Sequence, residues 1–155
     1  MPFKISALSN ERFSALRKMS PDQLEQNGVR KLTADACPGY PCRVSLQDAA
    51  IGESLYLLNY VHHDEATPYR ASHAILVREE AQQAKPATGE VPDVLAVRVI
   101  SVRAFDSAHD MIDADIVAGS ELAAGIAAML DNDDVDYLHL HYAKPGCFAA
   151  RVDRA

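Results

Sequence analysis

The sequence predicts an α+β fold, one domain over residues 1–155, with a largely antiparallel sheet and a few short helices. Three observations carry that prediction. Stretches of strand composition outnumber stretches of helical periodicity. The two kinds do not alternate regularly, as a doubly wound fold requires. Between strands expected at 97–105 and 111–117, His109-Asp110 reads as the turn of a hairpin.

Taken in order, residues 3–6 predict a short strand, and residues 10–19 a short helix on which Phe13 and Leu16 share a face. Ser20-Pro21-Asp22-Gln23 combines a serine N-cap, proline at the first helical position and glutamine at the reciprocal capping position. Asn27-Gly28 then stops the helix. Residues 29–35 form a weak strand running into Cys37-Pro38-Gly39-Tyr40-Pro41-Cys42-Arg43, where two prolines and a glycine forbid regular structure. Residues 45–49 suit one helical turn.

Residues 54–61 follow as a strand whose lack of alternation implies burial on both faces. A polar run over 62–68 leads to a strand at 73–78, with His73, Ile75 and Val77 on one side. Residues 81–92 read as a surface loop. Strands at 97–105 and 111–117 make the hairpin, and Leu122, Ile126, Met129 and Leu130 give residues 120–130 a helical stripe behind Ser120 as cap. Strands at 137–142 and 147–152, joined by Lys144-Pro145-Gly146, complete the chain.

Composition narrows the partners. An apolar fraction of 48% with 24% charge suits a globular chain that folds without staples. The net charge of −7 repels nucleic acid and anionic membrane surfaces. The opening Met-Pro-Phe-Lys-Ile lacks the apolar core of a signal peptide and no segment is long enough to span a bilayer, so the expected compartment is the cytoplasm. Three cysteines make an odd count, so reduced thiols are expected.

Chemistry concentrates in four places. On the strand His139-Leu140-His141 the pleat puts both imidazoles on one side and Leu138, Leu140 and Tyr142 on the other. The leucine side reads as core, which turns the imidazoles toward a cleft or solvent. Such a pair can share a metal ion, with His73 as a third nitrogen ligand and Cys147 as an alternative, or can be ordinary hydrogen-bonded sheet histidines.

Arginine is the second signal. Arg43 and Arg70 follow rigid proline-containing turns, and Arg103 and Arg151 lie in strands. Guanidinium forks suit carboxylate or phosphate, with Tyr40 and Tyr69 beside them. The structural alternative pairs these arginines with strand carboxylates such as Asp106, Asp113 and Asp115. Third, Cys42 beside Arg43 and Cys147 near His141 could be activated thiols or small buried hydrophobes. Fourth, Asp113 and Asp115 share a strand face, as an acid pair, a hard-cation site or a solvated surface. Glycine-rich phosphate loops and the Gly-x-Ser-x-Gly elbow are missing, which weighs against the large nucleotide-binding and hydrolase superfamilies.

The runs Pro38-Gly39-Tyr40-Pro41-Cys42-Arg43-Val44-Ser45-Leu46, Leu58-Asn59-Tyr60, Thr67-Pro68-Tyr69-Arg70-Ala71-Ser72-His73-Ala74-Ile75, Arg103-Ala104-Phe105-Asp106 and Ala143-Lys144-Pro145-Gly146-Cys147 resemble a bacterial family catalogued as domain of unknown function 1203. The resemblance spans nearly the whole chain and implies membership. It implies no activity, cofactor or catalytic residue.

The leading expectation is a small anionic metabolite bound, or bound and transformed, in an Arg/Tyr/His-lined cleft. Arg43 and Arg70 would hold the anion, Tyr69 would orient it, and His73, His139 or His141 would act as acid or base. A metal on His73, His139 and His141 is the second expectation, and a non-catalytic interaction or oligomerising domain the third.

Overall fold

The computed structural model describes residues 1–155. In chain order its strands are β1 (Phe3–Ser6), β2 (Arg30–Thr33), β3 (Ser54–His63), β4 (Ala71–Arg78), β5 (Val99–Phe105), β6 (Met111–Ala118), β7 (Tyr137–Tyr142) and β8 (Phe148–Arg154). The helices are α1 (Pro21–Gln26), α2 (Asp93–Ala96) and α3 (Leu122–Leu130), with short 3₁₀ turns before α1 and α3. Strand pairing is antiparallel at β1/β8, β2/β3, β5/β6, β5/β7 and β7/β8, and the fold is α+β as the sequence predicts. No helix is long and apolar enough to cross a membrane.

Two compact units make up the chain. The first comprises Met1–Ser6, Val61–His73 and Lys85–Ala155, the second Ala7–Tyr60 and Ala74–Ala84.

In the first unit five strands run in the order β1-β8-β7-β5-β6. Side chains alternate across a pleated strand, and residues directly opposite one another in the register share a face. One face is therefore set by the register pairs Leu138 with Val152, Leu140 with Ala150, and Val102 with Leu140. These five are buried, and α3 packs over β5 and β6, burying Leu122, Ile126 and Leu130. Gly125 marks the contact, since a Cβ there would stand 3.1 Å from Val117 Cγ1. Arg154 closes the far end of α3 by donating to the carbonyl of Leu130 (2.8 Å), the last residue of the helix, and to that of Asn132 (3.0 Å) in the turn that follows.

The helix itself starts later than its sequence suggests. Ser120 is not the cap, because Gly119–Glu121 forms a 3₁₀ turn and Glu121 occupies the cap position without a side-chain bond. Gly119 has no alternative at that turn. A Cβ would lie 2.1 Å from the Leu95 carbonyl oxygen and 2.5 Å from that of Arg98, at the end of α2.

In the second unit the reciprocal capping box of α1 forms as the sequence predicts, with Ser20 and Gln23 exchanging bonds. Residues 10–19 make two 3₁₀ turns in place of one helix, and they still bury Phe13 and Leu16. These pack with Leu24, Val29, Cys42, Val44, Tyr56, Ile75 and Val77. Residues 45–49 do not form a helical turn, since Leu46 takes a left-handed φ of 50°. Burial on both faces of β3 holds only at Leu55 and Tyr56 within this unit, the residues from Leu57 to Tyr60 being partly or fully exposed.

Candidate functional site

The opposite face of the five-stranded sheet holds the chemistry. By register, Arg103 stands opposite His139, Ser101 opposite His141, and His139 opposite Arg151. Tyr137, Phe105 and Phe148 complete that side. Every residue of β7 is buried, so of the two settings expected for His139 and His141, a cleft or solvent, open solvent is ruled out. The cover comes from His62 and His63 of the same unit.

His62 lies edge to face on His141 with centroids 4.8 Å apart and stacks on Phe148 at 5.7 Å. His63 stacks on Phe105 at 4.4 Å and meets His139 edge-on at 5.5 Å. The sequence places both covering histidines in the polar run after a strand at 54–61, whereas β3 extends to include them. The only sequence signal for them is that adjacent His62 and His63 close an apolar, tyrosine-bearing strand, where imidazole can pack as a flat ring.

Burial keeps His62, His139 and His141 uncharged at neutral pH. Desolvation is the main cause for all three shifted rings, lowering His139 to about 2, His141 to about 3 and His62 to about 4. Arg103 adds repulsion on His62 and His141, and His73 lies close enough to push both further down. Hydrogen bonds then choose tautomers. His141 donates from Nδ1 to the Gly146 carbonyl at 3.0 Å, leaving Nε2 with the lone pair. His63 donates from Nε2 to the His109 carbonyl at 2.9 Å. Nδ1 of His62 and Nδ1 of His139 are buried without a partner.

His109 forms the rim of the cluster. It sits at a left-handed φ of 66°, with Nδ1 2.8 Å from the Tyr137 hydroxyl and Nε2 3.7 Å from Glu65. The tautomer that directs Nε2–H toward Glu65 accepts the tyrosine proton at Nδ1. Tyr137 is itself raised to about 12, chiefly by burial.

The arginines separate into two kinds. Arg151 is engaged: it forks onto Asp153, with Nη2 at 2.8 Å, and lies over the Tyr137 ring at 4.0 Å. Arg70, exposed, forms an ion pair with Asp64, and Tyr69 next to it is also exposed. Arg43 is buried in the second unit and donates to the Pro41 carbonyl. Arg78, also in the second unit, is held by Glu53 at 2.8 Å. Arg103 differs from all of these. It is half-buried, no carboxylate lies within ion-pair distance, and its Nε donates only to Ser101 Oγ at 3.3 Å. Burial alone lowers its pKa, with no acidic neighbour to offset the effect.

Of the residues singled out in the sequence, the first unit thus gathers His139 and His141 with Arg103, and keeps His73 within electrostatic reach. No group of three or more His, Cys, Asp or Glu side chains is arranged to hold a metal ion. Cys42 and Cys147 are buried and Cys37 is exposed, all three as free thiols. Asp113 and Asp115 project from β6, each accepting the N–H of the next residue at 2.8 Å.

Comparison with known proteins found no match among curated proteins and none among solved structures. One family model matches, over residues 39–154, with the description "Protein of unknown function (DUF1203)". The chain belongs to that family.

Proposed function

We propose that the first unit binds a small anion at Arg103. The observation that carries this reading is a half-buried guanidinium without a carboxylate partner, beside rings that are uncharged at neutral pH. A cation removed from water without a counter-ion is costly, and proteins ordinarily pair or hydrogen-bond such groups. Here a ligand anion supplies the missing charge. The two terminal amino groups of Arg103 form the fork, Ser101 braces its Nε, and His62 and His141 stand by as neutral hydrogen-bonding groups.

This reading keeps the ligand class expected from the sequence and moves the anchor from Arg43 and Arg70 to Arg103. His141, like His62, serves as an uncharged contact, because rings with pKa values of about 3 and about 4 carry no proton to donate as imidazolium at pH 7, and His139, at about 2, likewise stays neutral.

Isothermal titration of acetate, sulfate and inorganic phosphate into the native protein and into Arg103→Gln tests the proposal. At least one anion is expected to bind the native protein about tenfold or more tightly than the variant. Equal affinities, with circular dichroism showing both proteins folded, refute it.

A further inference from the structure

The face that carries Arg103 also carries an apolar shelf, which says what the rest of the ligand looks like. Arg103 alternates along β5 with Ser101 and Val99, so the three share one side of the sheet. Across the register, Ile116 of β6 lies opposite Ser101 and Ala114 opposite Arg103. His62 and His63 pack on Phe105 at the end of β5 and on β7 and β8, whereas this part stays open: Ile116 is 65% exposed and Val99 44%. Apolar side chains of that size on a strand face, next to a cation lacking its counter-ion, are where an amphipathic molecule would rest.

The charge of the ligand follows from what surrounds the fork. Arg103 is the one cation there that is not already matched, since Arg151 is taken up by Asp153. A second negative charge would find no partner in a half-buried setting, and the chain as a whole carries −7. Planar carboxylate also matches the two terminal guanidinium nitrogens that the Ser101 bond leaves available.

We infer that the ligand is a monocarboxylate with an apolar body, its carboxylate on Arg103 and its hydrocarbon part over Ile116 and Val99. The inference rests on the anion-binding reading above and adds the substrate class to it.

The test is calorimetric titration of octanoate, acetate and inorganic phosphate into the native protein, Arg103→Gln and Ile116→Ser at pH 7. Octanoate is expected to bind the native protein at least about tenfold more tightly than acetate, since each buried methylene adds affinity. Arg103→Gln should weaken octanoate by about tenfold or more, and Ile116→Ser should narrow the gap between octanoate and acetate. Phosphate binding as tightly as octanoate, and depending on Arg103, overturns the carboxylate assignment and leaves the anion site standing. Octanoate binding unchanged by Arg103→Gln, or no binding of any of the three, overturns both.

Discussion

His62 meets His141 edge to face at 4.8 Å, so one imidazole shields another from water in the middle of a protein surface. The pairing works only while both rings are uncharged, because two imidazolium ions at that distance would repel and neither has a carboxylate beside it to compensate. Burial and the Arg103 charge hold them in that state.

Acid should therefore weaken the first unit before carboxylates are titrated. His139 and His141 have folded pKa values of about 2 and about 3, below the 6.5 of the free side chain. Between those limits the unfolded chain binds more protons, so stability rises with pH and is lost as pH falls below about 6.5. Going from pH 7 to pH 5 should cost about 2 kcal/mol for each of these buried rings, and less for half-buried His62. Urea unfolding at the two pH values measures this, and His139→Gln should reduce the difference. Identical unfolding midpoints at pH 7 and pH 5 would contradict the assignment.

Anion binding should take up protons in acid. A negative charge on Arg103 offsets the field that depresses His62 and His141, raising both from about 4 and about 3. At pH 7 the rings are neutral with or without ligand, and affinity is insensitive to pH. Below about pH 5 affinity should climb as pH falls. Octanesulfonate, which stays ionised there, titrated at pH 5 in two buffers of different ionisation enthalpy, reads the proton uptake directly. Equal heats in both buffers would show that the rings do not sense the anion.

Gly119→Ala should destabilise the protein by about 2–3 kcal/mol, because the new methyl collides with backbone carbonyls that cannot rotate away. Gly125→Ala provides the contrast. Its Cβ would meet only the Val117 side chain at 3.1 Å, and alanine favours the helix, so the net change should be within about 1 kcal/mol. Thermal or urea unfolding of the two variants ranks them. A Gly119→Ala protein as stable as the parent would mean that α2 shifts freely.

Removing Asp113 and Asp115 together should promote self-association. β6 is the outer strand of its sheet, and its exposed Ile112 and Ile116 would otherwise invite another strand. The two carboxylates cap the N–H groups of Ala114 and Ile116 and add like charge along that edge. Sedimentation equilibrium of the Asp113→Ala/Asp115→Ala protein is expected to show a concentration-dependent rise in mass. A mass unchanged across concentration would assign the edge's protection elsewhere.

Local chemistry was legible where it acts locally. The bounds of β7 and the capping box at Ser20 follow from neighbouring residues alone, and both form as read. The cap assigned to Ser120 failed because a 3₁₀ turn fills the space against α2, a contact made by distant residues. The histidine face was correctly divided from the leucine face, but its burial depends on His62 and His63 arriving from elsewhere in the chain. Arg103 was visible as one strand arginine among several. Part of the difference from Arg151 lies in the sequence, since Asp153 stands two residues from Arg151 on the same strand face while the like positions around Arg103 are Ser101 and Phe105; the absence of a carboxylate from any other strand or loop is a property of three-dimensional placement.

The distribution of imidazoles has a practical result for spectroscopy. All six histidines fall within the first unit, three of them between residues 61 and 73 and three between 109 and 141. Protein made with isotope-labelled histidine would thus broadcast from one unit and leave the other silent, with no need to assign the rest of the spectrum. Ring ¹⁵N shifts would report tautomer, proton occupancy and ligand contact at individual sites, while unlabelled signals from the second unit served as an internal control for global unfolding.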